Sequence, residues 1–174
     1  MSSPISTRRL CSLSTPELFV LCSLRLILQA IREGREIDAH CREGFEIARL
    51  SMAHAQHLAA AARIMDTAAG RPLDMRGTRC AEVGQDEELV LQVLLLLQHE
   101  NEFGARRVLW KVLPPAAARI VISHLDAVAL GMVRAGLLLP QFPYALRPCP
   151  AEALAARRLG APADPALAET FWLN

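Results

Sequence analysis

Lys111 is the only lysine among the 19 basic residues of this chain, and aromatic residues make up only 5% of it. The formal net charge of +1 gives no indication of the positive field that draws proteins to nucleic acids or acidic membranes. Because alanine and leucine are also abundant, we attribute the preference for arginine to a GC-rich genome, and not to arginine chemistry.

Local signatures of catalysis are also missing. The sequence contains no G-x-S-x-G, no Walker A motif, no G-x-G-x-x-G and no CxxC, and its 9 glycines are scattered. The 5 cysteines lie far apart, which predicts reduced thiols and therefore a cytoplasmic protein. We expect no cofactor, no metal and no enzymatic activity, although an active site without a local motif stays open.

Hydrophobic residues make up 52% of the 174 residues, enough to form the core of one domain. The helical periodicity predicts an all-α fold, a single-domain bundle of five or six helices. We divide the chain into a mobile N-terminal arm (1–14), the helical bundle (15–139) and a proline-rich C-terminal strap with short helices (140–174).

The stretch 114–139 is predicted to be the central helix of the bundle. Its few polar residues include Arg119, Ser123 and Asp126, whose spacing makes one narrow line on the helix. A helix that is apolar nearly all round must be buried nearly all round. It is long enough to span a membrane, but Arg119, Asp126 and Arg134 would each be costly there, so we predict no membrane segment.

The periodicity predicts four further helices. They cover about 16–33, with Thr15 as the cap and Arg25 on a solvated stripe, then 37–69 without a break, 86–99 and 103–113. The helix at 86–99 is again almost entirely apolar. Two such helices favour a core shared between copies of the chain, so we expect a homodimer.

The long loop between the second and third of these helices carries Arg71, Arg76 and Arg79. Loops of this length in compact domains are often functional, and three arginines are able to bind an anion. However, Asp86 opens the next helix together with two glutamates, which would repel that anion. We therefore favour a solvated loop over an anion site.

The C-terminal strap contains six prolines and half of the aromatic residues of the chain. A disordered tail is usually poor in aromatic residues, so we expect this segment to dock, either on its own bundle or on a partner. Its possible interface residues are Phe142, Tyr144, Phe171 and Trp172.

Histidine residues provide the remaining candidate ligands. His54 and His57 are three residues apart on one helix, but a zinc site needs three or four converging ligands. We expect two ordinary histidines there, and a hydrogen-bonded core histidine at His124.

Three hypotheses for function follow. The leading one is a regulatory or protein-interaction module that self-associates and has no catalytic activity. The alternative is a protein that binds a small molecule or anion between helices and the Arg71–Arg79 loop. A winged-helix-like DNA-binding regulator, formed by 89–138, is a further alternative, but its reading helix would lack a basic, polar face.

Overall fold

The computed structural model describes residues 8–37 and 39–141, and over these residues the fold is a bundle of six α-helices without a strand. The predicted all-α fold is therefore confirmed. The helices are α1 (Thr15–Arg32), α2 (Ala39–Ile47), α3 (Met52–Ala68), α4 (Gln85–Gln98), α5 (Glu102–Leu109) and α6 (Pro115–Arg134).

Helix α6 lies at the centre of the bundle, as its composition predicts. It packs most extensively against α3 and then against α4, and it buries Val121, Leu125 and Met132 completely. It ends five residues earlier than predicted because Gly136 adopts a φ of 77°. The Leu137 amide then donates to the Met132 carbonyl at 2.8 Å, the hydrogen bond of a Schellman cap.

Among the described helices, α6 alone has the length and apolar content that a membrane-spanning helix requires. The core helix of a water-soluble domain meets the same criteria, and 44% of the most apolar window of α6 is buried inside the bundle. The prediction that this helix is buried nearly all round is therefore wrong, because Ile120, Leu130 and Val133 are exposed.

The predicted continuous helix 37–69 is wrong, because the chain turns between α2 and α3. Arg49 adopts the left-handed conformation, with a φ of 58°, and the Leu50 amide donates to the Phe45 carbonyl at 2.8 Å. This is a second Schellman cap, with arginine where glycine is usual. Ser51 then starts α3, and its backbone amide donates to Nδ1 of His54 at 3.1 Å.

Helix α1 matches its predicted bounds of about 16–33 to within one residue, but two residue assignments differ. Ser14, and not Thr15, is the N-cap; its backbone amide and its hydroxyl both donate to the Glu17 carboxylate at 2.7 Å. The periodicity predicts Arg25 on a solvated stripe, yet this residue is only 3% exposed. It points inward because its charge is paired inside the protein, as described below.

The part of the predicted arm that the structure describes contacts the bundle. Leu10–Ser12 form a short 3-10 helix, and the Leu10 amide donates to the Ala81 carbonyl at 2.8 Å. The Val83 amide donates to the Arg8 carbonyl at the same distance, which joins the two segments side by side. Residues 1–7 and the strap beyond residue 141 lie outside the described residues.

Helix α4 is buried on nearly every side by its own chain. Val90, Val93 and Leu94 have no exposed surface, and α5 and α6 cover most of the helix. Its apolar sequence therefore needs no second copy of the chain to explain it. Any argument for a dimer has to come from the hydrophobic residues that the bundle leaves exposed.

Candidate functional site

A groove of about 640 Å³ runs along the exposed side of α6. The end of α4 and the first turns of α5 form its opposite wall, through Gln98, Glu102 and Arg106. Gly131 keeps this helix close to the bundle on its other side, because a Cβ there would lie 2.4 Å from Nε2 of His54.

The line of polar residues predicted on α6 forms the floor of this groove. Arg119, Ser123 and Asp126 are all exposed and all line it. Leu130 and Val133 continue the same line at steps of four and three residues, and they are 47% and 38% exposed. The groove thus has a polar half and an apolar half.

Charged groups in the groove are only partly paired with one another. Arg106 forms an ion pair with Glu102, one turn earlier on α5. Within the described residues, neither Arg119 nor Asp126 has a side-chain partner, although both face the same opening. An exposed carboxylate and an exposed guanidinium about two turns apart on one helix can recognise an incoming chain of mixed charge.

Gln98 holds the chain at the rim of the groove after α6 ends. Its side-chain amide donates to the Leu137 carbonyl at 2.9 Å, and its side-chain oxygen accepts from the Leu139 amide at 2.9 Å. Leu139 is buried, whereas Leu138 between the two hydrogen bonds is 61% exposed. The segment that leads into the strap is therefore fixed beside the groove.

A second exposed surface lies on α5. Phe103 lies in α5 and Trp110 is the C-cap residue that follows its last turn, still in helical conformation. The two are seven residues apart, so they point to the same side of this helix, and they are 68% and 48% exposed. Arg107 lies between them and is also exposed. We call Phe103, Arg107 and Trp110 the α5 face. Aromatic residues and arginine are enriched in the cores of protein interfaces.

The predicted anion loop is organised around carboxylates of its own chain. Arg71 donates two hydrogen bonds of 2.7 Å to Asp86, the residue expected to repel an anion. The Asp74 amide donates to the same carboxylate at 2.6 Å. Burial on its own raises the pKa of Asp86, but these hydrogen bonds outweigh it, so the pKa lies below its usual value.

Arg25 fixes the rest of the loop from inside the protein. It donates to both carboxylate oxygens of Glu87 at 2.7 Å, and to the carbonyls of Cys80 and Glu82 at 2.6 Å. The hydrogen bond with Glu87 raises the pKa of Arg25 above its usual value. The sequence contained one signal for this residue, a single arginine within the apolar run 18–28.

Two of the three loop arginines are thus engaged by carboxylates of their own chain, Arg71 by Asp86 and Arg76 by Asp74. Arg76 approaches Asp74 at 3.1 Å, and Arg79 is exposed. A smaller cavity of about 290 Å³, lined by Arg49, His54 and Arg134, lies at the start of α3 instead. Anion binding by Arg71, Arg76 and Arg79 stays a prediction, and an anion would have to displace Asp86 from Arg71.

Two histidines that lie 67 residues apart in the sequence meet across the α3–α6 interface. Nδ1 of His57 lies 3.0 Å from Nδ1 of His124. Burial lowers the pKa of His124, and the nearby His57 lowers it further. Between residues 8 and 141, Asp38 excepted, no three histidine, cysteine or acidic side chains are placed to hold a metal ion.

The cysteines differ from the expectation of five reduced thiols. Cys22, Cys41 and Cys80 keep reduced thiols, but Cys11 is disulfide-bonded, so the expectation is wrong for Cys11. The cytoplasmic location depended on that expectation and stays a prediction.

The other sequence-predicted site residues cannot be placed. Phe142, Tyr144, Phe171 and Trp172 lie outside the described residues. DNA binding by 89–138 also stays a prediction; in that region α6 exposes Arg119 and Arg134 together with Asp126 and Leu130.

Comparison of the chain with protein-family models, with curated proteins and with solved structures finds no match.

Proposed function

We propose that this chain is a protein-interaction module that self-associates through the α5 face and has no catalytic activity. The observation that carries the proposal is the exposure of Phe103 and Trp110 on one side of α5, with Arg107 between them. Large aromatic side chains bury much apolar area at a low cost in side-chain entropy. Two such side chains exposed on one side of a helix therefore favour a surface that a partner covers.

A second copy of the chain is the partner that we propose. Most homodimers are related by a twofold axis, so the same face is used twice. Phe103 and Trp110 lie about 10 Å apart along α5, near its two ends. Two antiparallel α5 helices would bring the Phe103 of one copy against the Trp110 of the other, and Arg107 could stack on an aromatic ring of the partner.

Native mass spectrometry of the purified full chain tests this proposal, with sedimentation velocity to give a dissociation constant. We expect a dimer without added mass. Truncation of an interface aromatic typically costs about 2 kcal/mol or more, so Phe103→Ala and Trp110→Ala should each raise the dissociation constant about 30-fold or more.

Ile47→Ala is the matched control, because Ile47 is 77% exposed on α2, away from α5. Its dissociation constant should equal that of the wild type, and circular dichroism should show the same helix content in all variants. A chain that remains monomeric at every concentration, or a dimer that is insensitive to both α5 substitutions, would overturn the proposal.

A further inference from the structure

The apolar half of the groove on α6 is left uncovered by the described residues. Leu130 and Val133 are large side chains that line it, and both keep more than a third of their surface in water. This surface is separate from the α5 face, so it needs its own explanation. The position at which the described chain ends indicates what covers it.

The chain leaves the described structure at the rim of the groove. Gln98 lines the groove and also binds the backbone on both sides of Leu138, through the Leu137 carbonyl and the Leu139 amide. Gln141 is only two residues later, so it lies within about 7 Å of this anchor. The residues that follow therefore start next to the apolar half of the groove.

The next residues have a sequence suited to this surface. In the stretch 142–148, FPYALRP, Phe142, Tyr144 and Leu146 occur at every second position. Such alternation puts the three side chains on one side of an extended backbone, and proline favours extended over helical conformations. Seven extended residues reach about 23 Å, and the groove from Val133 to Arg119 is about 21 Å long.

The charges are also complementary. Asp126 is exposed in the groove and has no side-chain partner among residues 8–37 and 39–141. Arg147 is the first charged residue after Gln141. Along the segment, Arg147 comes after the three alternating apolar residues. Along the groove, starting from the rim, Asp126 comes after the apolar residues Val133 and Leu130, so the two orders agree.

We propose that residues 142–148 occupy the groove of their own chain. Phe142, Tyr144 and Leu146 cover Leu130 and Val133, and Arg147 pairs with Asp126. A segment anchored at the rim has an effective concentration in the millimolar range for its own groove. It therefore outcompetes the same segment from another molecule, and any other ligand of the groove must displace it.

Labelling of a cysteine placed in the groove tests the proposal in the full chain. Ser123→Cys puts a small thiol on the exposed floor, and Gln92→Cys, on the exposed side of α4 outside the groove, is the matched control. A protease site inserted between Gln141 and Phe142 allows the segment to be released after folding. Iodoacetamide labelling is read by peptide mass spectrometry, so that only the introduced thiol is counted.

Cleavage is carried out with a reductant, because Cys11 is disulfide-bonded and the bond could retain a severed segment. The reductant is removed before labelling. If the segment covers the groove nine-tenths of the time, cleavage and removal of the fragment should speed labelling at position 123 about tenfold. Labelling at position 92 should not change.

The same rates decide whether the segment binds its own chain. Protection that is independent of protein concentration supports the proposal. Protection that appears only at high concentration shows exchange between molecules and overturns it, as does equally fast labelling before and after cleavage. Neither outcome affects self-association through the α5 face, which is measured by mass and not by labelling.

A charge reversal tests the proposed ion pair. In the uncut Ser123→Cys chain, Asp126→Arg should speed labelling, and adding Arg147→Asp should slow it again. Glu46→Arg, an exposed carboxylate on α2, is the control and should leave the rate unchanged. If Arg147→Asp does not restore protection in the Asp126→Arg chain, the pairing is wrong, whereas a rate unchanged by Asp126→Arg removes Asp126 from the interface.

Discussion

Arg25 and Glu87 lie 62 residues apart in the sequence and are joined in the core by two hydrogen bonds of 2.7 Å. Their side chains are 1% and 0% exposed. Glu87 also accepts from the Gly84 amide at 2.8 Å and from the Arg76 amide at 3.1 Å. One ion pair therefore connects α1, the start of α4 and the loop between α3 and α4.

Glu87→Gln should destabilise the protein by about 3 kcal/mol, because it leaves the buried Arg25 without a counter-charge. Asp66→Asn makes the same chemical change in the partly exposed pair with Arg32 and should cost less than about 1 kcal/mol. Urea unfolding followed by circular dichroism gives both values. Equal losses in the two variants would show that burial of the Arg25–Glu87 pair is unimportant.

The His57–His124 contact makes stability depend on pH. The pKa of His124 is lowered in the folded protein, so the unfolded chain binds more protons between that lowered value and about 6.5. The contribution of His124 to stability should be constant above about pH 7 and should fall as the pH drops through this window. Doubly protonated rings would place two donors and two positive charges 3.0 Å apart.

His124→Gln should remove much of this loss, so unfolding free energies measured from pH 8 to pH 5 should fall less in the variant. The comparison cancels groups present in both proteins, including Glu88, whose pKa burial raises. A steeper fall in His124→Gln than in the wild type would contradict the assignment.

Gly131→Ala should destabilise the protein when residue 54 is histidine and stabilise it when residue 54 is alanine. In an ordinary helix the change gains about 1 kcal/mol. Here the new Cβ would lie 2.4 Å from the ring of His54, which must move and lose its hydrogen bond with the Ser51 amide. The loss of that cap costs about 1 kcal/mol, and the displaced ring also loses packing, so we expect net destabilisation.

In a His54→Ala background the same substitution has no ring to displace and should stabilise the protein by about 1 kcal/mol. Thermal and urea unfolding of the four proteins give the coupling between the two positions. Coupling near zero would mean that the ring does not fill the space beside Gly131.

Arg49→Gly should stabilise the protein by about 0.5–1 kcal/mol, because a φ of 58° is strained for arginine and not for glycine. Gly34→Ala is the opposite experiment at the end of α1, where glycine already adopts a φ of 64°, and it should destabilise by a similar amount. Chemical denaturation measures both, and a destabilised Arg49→Gly would indicate that the arginine side chain contributes contacts that outweigh the strain.

These helix ends show how far the sequence determines the fold. Gly34 and Gly136 both end helices as glycine commonly does; the end of α1 at Gly34 was predicted, whereas α6 was predicted to continue past Gly136. Arg49 and Glu100 adopt the same left-handed conformation without being glycine, which is why the break between α2 and α3 was missed. At Arg49, the burial of the next residue, Leu50, outweighs the low preference of arginine for the left-handed conformation.

The groove illustrates the same limit for the candidate site. Its floor on α6 could be predicted, because Arg119, Ser123 and Asp126 follow helical spacing. Its other wall could not, because the position of α5 beside α6 depends on tertiary packing of α4. The partners of Arg71 and Arg25 could not be predicted either. In the sequence, the acids at the start of α4 indicate only that an anion would be repelled; in the structure, Asp86 pairs with Arg71 and Glu87 with Arg25.

The hydrogen bonds from Arg25 to the loop between α3 and α4 also predict an order of folding. Its hydrogen bonds reach residues 52 to 62 positions away, whereas α4, α5 and α6 pack on one another through short connections. Closing a long loop costs entropy before any contact repays it, so the α4–α6 unit should form first and α1 should dock late. In stopped-flow chevrons, Arg25 variants should accelerate unfolding and leave the refolding rate nearly unchanged.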